Sequence, residues 1–164
     1  MIIYIEKCRK DVQTPDYANK HDACMDIRAA EDTLIDVGKT VIVPSGLKMC
    51  IPIGHELQIK PRSGISLNTP LRISNSPATI DSGYRDEVGI LVSNTSMNCS
   101  SRTSMSGLLI SEKGNKHGKY FIKKGDRIAQ IKVVPAPVFS FVEVDSVAKF
   151  GTNRAGGFGS TGVT

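Results

Sequence analysis

Short β-branched runs, partly alternating and bounded by Gly, Pro, Asn or Asp, recur along the chain. They are Ile2–Ile5, Leu34–Val43, Leu47–Ile51, Leu57–Lys60, Val88–Val92, Ile128–Val134 and Val138–Val144. A period near two predicts half-buried strands, and no stretch of ten or more residues carries the 3.6-residue period of an amphipathic helix. Many short strands at close spacing predict an all-β fold, closed as a sandwich or barrel, with an antiparallel jelly roll the natural candidate. Two segments stand apart from this pattern. Residues 94–118 are rich in Ser, Asn, Lys and Gly around the apolar Leu108–Ile110, which suggests a long loop or hairpin at about 95–120. The C-terminal GTNRAGGFGSTGVT has five glycines and one aromatic residue, too little apolar surface to offset the entropy of ordering it.

At 164 residues the chain has room for one domain with its own core. Residues 1–150 are therefore assigned to a β domain and 151–164 to a flexible arm. The apolar runs fall well short of the roughly 20 residues that a membrane-spanning helix requires. The start, MIIYIEKCRK, lacks the basic, apolar and cleavage regions of a signal peptide. A soluble protein with no membrane partner follows as the expectation, cytoplasmic or, for a viral chain, intracellular in the infected host.

Candidate chemistry is narrowed by what the reactive residues fail to do. Cys8, Cys24, Cys50 and Cys99 form no C-x-x-C pair or Cys/His cluster, so buried or half-buried free thiols are expected. His21, His55 and His117 lack neighbouring ligand residues, which points the chemistry towards carboxylate, arginine and backbone amides. The net charge of +5 resides between Asn98 and Arg127, where seven basic residues face two acidic ones. This segment reads as a solvated lysine-rich loop; a nucleic-acid or protein partner for it is the weaker alternative.

Three polar constellations remain. In ATIDSGYRDEVGILVSN, an apolar strand, the Ser82-Gly83 turn signal and a second apolar strand predict a hairpin with Asp81 and Tyr84 at its tip. On spacing alone, an ordinary turn aspartate is the simpler reading. PRSG follows the strand HELQIK and offers Arg62, Ser63 and the Gly64 amide to an anion, although Ser-Gly is also a common turn. GGFGSTG offers amides, two hydroxyls and the Phe158 ring, with Arg154 nearby; as an isolated tail, a disordered linker is the favoured reading.

Together these segments resemble the trimeric dUTPase family, whose five motifs occur here in order as DACMDIRAA, PRSGIS, ISNSPATIDSGYRDEVGILVSN, KGDRIAQI and NRAGGFGSTG. The resemblance implies hydrolysis of dUTP to dUMP and pyrophosphate, lowering dUTP and supplying dUMP for thymidylate synthesis. It implies that Asp81 activates the water that attacks the α-phosphorus, the role a carboxylate can fill through a positioned water. Backbone groups around Ala78, Thr79, Ile80 and Gly89 would pair with uracil, Asn75 would add its amide, and Tyr84 would lie under the deoxyribose. Arg62, Ser63, Gly64 and Gln130 would hold the phosphates. Asp26 would reach the water shell of a magnesium ion held mainly by the substrate phosphates. Arg154 would neutralise the γ-phosphate, Phe158 would stack on the base, and Gly159, Ser160 and Thr161 would bond phosphate oxygens as the arm closes. The implied assembly is a homotrimer whose sites draw the hairpin, the PRSG element and the arm from different chains.

The sequence departs from the family pattern at Cys24, Ser66 and Asp86, and only Ala155 separates Arg154 from Gly156. The related dCTP deaminases carry a catalytic glutamate where this chain has Leu91, so deamination lacks its proton shuttle. A regulatory protein of the same fold, binding a partner through residues 98–127, is the alternative of a different class.

Overall fold

The computed structural model describes residues 1–97, 107–153 and 156. Twelve strands are seen among these residues. The first six are β1 (Tyr4–Lys7), β2 (Met25–Arg28), β3 (Thr33–Ile35), β4 (Thr40–Pro44), β5 (Leu47–Cys50) and β6 (His55–Lys60). After the short helix α1 (Ser63–Asn68) come β7 (Leu71–Ile73), β8 (Ala78–Ile80), β9 (Gly89–Asn94), β10 (Leu108–Leu109), β11 (Tyr120–Ile122) and β12 (Arg127–Pro135). They form four small sheets, ordered β1-β5, β10-β11-β3, β2-β12-β6-β8 and β4-β9-β7. All the pairings are antiparallel except β10 with β11.

The period-two pattern is what buries the core. Leu57 and Ile59 of β6, Leu47 and Met49 of β5, Ile90 and Val92 of β9, and Tyr120 and Ile122 of β11 all turn inward, while their neighbours stay at least partly exposed. Side chains from every sheet join one hydrophobic cluster, as a domain of this size requires. Among the described residues, every buried side-chain polar atom has a hydrogen-bond partner. No described helix is long and apolar enough to cross a membrane.

Several expectations change in detail. The run Leu34–Val43 splits into β3 and β4 because Gly38 takes a positive φ of 72°, a left-handed turn that favours glycine. Val138–Val144, expected as a strand, belongs to no sheet, and Val138, Phe139, Phe141 and Val142 are exposed. The PRSG turn opens α1, a helix too short for its period to show in the sequence. The stretch around residues 108–110 is no mere loop: Leu108 and Ile110 pack on the core, and β10 runs parallel to β11 rather than closing a hairpin with it. Cys24 and Cys50 are half-buried free thiols as expected, whereas Cys8 is exposed; Cys99 lies outside the described residues.

Buried Asn94 ties this segment to the body. Its Nδ2 donates to the Ile35 carbonyl at 3.1 Å and the Gly118 carbonyl at 2.8 Å, while its Oδ1 accepts from the Ser96 amide at 3.0 Å. Replacing it strands buried carbonyls, each costing about 1–3 kcal/mol when unpaired. Asn94→Ala is therefore expected to lower unfolding free energy by at least about 1 kcal/mol in urea titration. An unchanged midpoint would show that the three bonds do not hold the segment.

Candidate active site

The strand β6 carries the two halves of the candidate site. At its C-terminal end Pro61 turns the chain, and Arg62, in extended conformation, becomes the N-cap position of α1. The Arg62 carbonyl accepts the Ser66 amide at 3.0 Å, which begins the helix and leaves the amides of its first residues turned outward. Beside β6 lies β12, and beside β12 lies β2, in a register that sets Gln130 opposite both Lys60 and Asp26. Three separate sequence motifs thus meet in one cleft. It encloses about 430 Å³, and its lining includes Asp26, Arg62, Ser63, Gly64 and Gln130, together with Arg127, Cys24, Asn19 and Asp22.

Electrostatics organise this cleft. Arg62 donates from Nε to Asp26 Oδ1 at 2.8 Å, and Arg127 donates from Nη1 to Asp26 Oδ2 at 3.1 Å. Arg62 Nη1 also reaches the Arg127 carbonyl at 3.2 Å, and Gln130 Nε2 donates to the Pro61 carbonyl at 2.8 Å. Two guanidinium groups share one carboxylate, so these three side chains keep a net positive charge, and the planar guanidinium donors suit the oxygens of an anion. Among the described residues no group of three or more His, Cys, Asp or Glu side chains could hold a metal ion.

The other half of the site lies between β7 and β9. These strands pair directly, Leu71 opposite Asn94 and Ile73 opposite Val92, and the intervening excursion carries Asn75, Ala78, Thr79, Ile80, Asp81 and Tyr84. The expected hairpin of β8 with β9 is corrected here. The strand β8 pairs with β6 instead, while Gly89 at the start of β9 pairs with Pro44 of β4. Asp81 is exposed, and its carbonyl accepts the Tyr84 amide at 3.1 Å. The Tyr84 hydroxyl donates to the Glu87 carbonyl at 3.0 Å, fixing the ring against its own turn.

Within one chain the two halves do not meet. Ile80 faces Leu57 near the start of β6, whereas Arg62 follows its end, which separates Asp81 from Arg62 by roughly 20 Å along the strand direction. None of Asn75, Ala78, Thr79, Ile80, Asp81, Tyr84 or Gly89 lines the arginine cleft. Arg154, Phe158, Gly159, Ser160 and Thr161 lie outside the described residues.

Comparison with known proteins decides the family. The dUTPase family profile matches residues 10–100. The deoxyuridine 5'-triphosphate nucleotidohydrolase of Alkaliphilus metalliredigens is 34% identical over 98% of this chain and 97% of its own length. This chain belongs to the dUTPase family. The Picosynechococcus nucleotidohydrolase is 36% identical, covering 99% of both chains. Among solved structures, the Staphylococcus bacteriophage 80alpha dUTPase with dUPNHPP superposes with a TM-score of 0.84, is 28% identical and covers 99% of each chain. The phage phi11 dUTPase from S. aureus, in which a structural Mg(II) ion is coordinated, shares the fold at a TM-score of 0.80 and 24% identity, over 89% of this chain and 98% of that one. The fold is the jelly roll of the dUTPases.

Asn19, Asp22 and Arg127 of the cleft and Glu87 of the turn were not singled out from the sequence. Arg127 sits inside the KGDRIAQI motif, but its part in the cleft depends on a strand irregularity that no sequence pattern marks. Glu87 anchors the 81–88 turn to the body through a 2.6 Å bond from the Gly46 amide to its Oε1. A charge-assisted bond of this kind contributes about 1.5–3 kcal/mol, so Glu87→Ala should speed hydrogen exchange at the Gly46 amide by at least about tenfold. Exchange at the wild-type rate would show that Glu87 is not the anchor.

Proposed function

We propose that this chain is a dUTP diphosphatase that hydrolyses dUTP to dUMP and pyrophosphate, with sites shared between the subunits of a homotrimer. The observation that carries this reading is the separation of Asp81 from the arginine cleft by the length of β6. A reaction that needs a water-activating carboxylate at the α-phosphorus and cations on the same phosphate chain cannot use both from one chain. It can use them when the excursion of one subunit faces the cleft of another.

The exposed run from Val138 to Val144 supports the same assembly, since apolar residues in strand-like alternation find no sheet in their own chain. A neighbouring subunit supplies the missing surface. Residues 151–164 then continue as the arm that reaches an adjoining site, with Phe158 on the base and Arg154, Gly159, Ser160 and Thr161 on the phosphates.

In the assembled site, Arg62, Ser63, Gly64 and Gln130 bind and align the phosphates. Asp81 accepts a proton from the attacking water. The 75–80 backbone and Gly89 hold the uracil edge, and Tyr84, its ring held by its hydroxyl bond to Glu87, packs on the sugar. The donor set fits a magnesium ion carried by the nucleotide rather than a protein cage: of the two carboxylates at the cleft, Asp26 has both oxygens facing arginines and Asp22 accepts from Asn19. When bound, the ion would neutralise phosphate charge, with Asp26 contacting it through water.

The basic segment supports the enzyme reading over a separate binding face. Lys116 pairs with Glu112, Lys119 with Asp36, Lys124 with Asp11 and Arg127 with Asp26, so much of its charge is already answered within the chain.

Pyrophosphate release from a panel of dUTP, dTTP, dCTP and UTP with magnesium tests the substrate: release from dUTP alone is expected, and equal rates with dTTP would overturn it. Asp81→Asn should cut turnover by about 10²- to 10⁴-fold while nucleotide binding persists, because the amide keeps the shape without accepting the proton. Mixing Asp81→Asn subunits with subunits truncated at residue 150 should restore activity, since some sites then combine an intact excursion with an intact arm. Refolded mixtures with no recovery would refute shared sites.

A further inference from the structure

The strand β12 is irregular at one place. Its register with β2 runs Gln130 opposite Asp26 and Ala129 opposite Ile27, then slips so that Arg127 stands opposite Arg28. Ile128 is the extra residue, and both it and Ala129 are buried, which a regular strand does not allow for neighbours. Had the alternation continued unbroken, residue 127 would share the inward face of Ala129 and Ile131. The bulge moves it to the opposite face, the one shared by Gln130, Asp26 and Arg28. Arg127 thereby reaches Asp26 in the cleft lined by Ser63 and Gly64.

We propose that Arg127 is a positioning residue for phosphate binding, which locks the Asp26 carboxylate so that Asp26 in turn holds the Arg62 guanidinium towards the substrate. The physical basis is the softness of the aspartate side chain. The terminal torsion of Asp is broad and roughly two-fold, so one hydrogen bond from Arg62 Nε does not fix the carboxylate plane. A second donor on the other oxygen does. Asp26 is the least exposed member of the set, its side chain 18% accessible against 27% for Arg62 and 45% for Arg127, so the lock acts at the inner end of the cluster. Arg62 also bonds the Arg127 carbonyl, a contact that substitutions of the Arg127 side chain leave in place and that therefore isolates the guanidinium's part.

The inference rests on the dUTP-hydrolase reading, but its test has a readout that does not. Arg127→Met keeps the apolar stem and removes the donor, and Arg127→Lys restores a cation. In the full-length protein, the Arg62 Nε–H resonance, assigned by its loss in Arg62→Lys, should exchange faster with solvent in Arg127→Met and recover in Arg127→Lys. Calorimetry with dUPNHPP and magnesium should show the dissociation constant rising about fivefold in Arg127→Met, the upper end for a half-exposed ion pair. In an Arg62→Ala background the same substitution should change it by less than about 1.5-fold, because the residue acts through Arg62. An unchanged Arg62 signal with unchanged affinity would overturn the proposal. So would losses that multiply in the double variant, since Arg127 would then contact the phosphates on its own account. Failure of the wild type to release pyrophosphate from dUTP would defeat the functional reading, while the Arg62 exchange rates would still decide the positioning role.

Discussion

The strand β6 is hydrogen-bonded along both edges, to β12 on one side and β8 on the other, and the geometry of the site depends on that double pairing. Its two neighbours run antiparallel to it, so the chain leaves β6 at the arginine cleft and enters β8 from that same end. It then carries Asp81 away towards the other end. A strand paired on both sides cannot slip without inverting every inward side chain, and Leu57 and Ile59 are both buried in the core. The distance between carboxylate and cations is consequently a property of strand length and register rather than of flexible side chains.

Charge in the cleft is arranged to stay available. A lone arginine beside a partly buried aspartate would be neutralised by it, and phosphate would have to compete with the carboxylate for the guanidinium. Two arginines share one aspartate here, so these three side chains by themselves carry one excess positive charge, while Asp22 on the same cleft accepts from Asn19. Water reaches all three side chains, so the pairs individually add little to stability. Their worth lies in direction. The same economy shows at the excursion between β7 and β9, where Tyr84 and Glu87 spend their polar atoms on holding a turn whose Asp81 remains exposed.

Residues around 108–122 bear on the fold in a different way. Tyr120 is buried at the centre of β11, and its hydroxyl donates to the Lys116 carbonyl at 2.7 Å. Burial pushes this phenol up from its ordinary value, so the neutral form is favoured in the folded state. Stability from that group is present below the unfolded tyrosine value and is lost as pH rises through the folded one. The lysine-rich segment is thus fastened to the core by neutral, buried contacts, and its charged side chains are left at the surface.

The sequence alone determined the all-β class, because alternation of apolar and polar positions is a local property that each strand carries by itself. It also supplied the family, since five ordered motifs are a statement about residue identity, and it pointed to Asp26, Arg62, Ser63, Gly64 and Gln130 of the cleft but not to Asp22 or Arg127. It misjudged Val138–Val144, whose pattern is strand-like but which pairs with no described strand. It misjudged the partner of β8 because a turn signal such as Ser82-Gly83 specifies a change of direction and not which strand lies alongside. The bulge at Ile128, the bond from Gly46 to Glu87 and the clasp of Asn94 on Gly118 are likewise invisible in the chain, each joining residues far apart in sequence or shifting a register by one. What only the tertiary structure decided is therefore which polar residues share a face. Strand pairing sets that through contacts distant in sequence, and a slip of one residue reverses it.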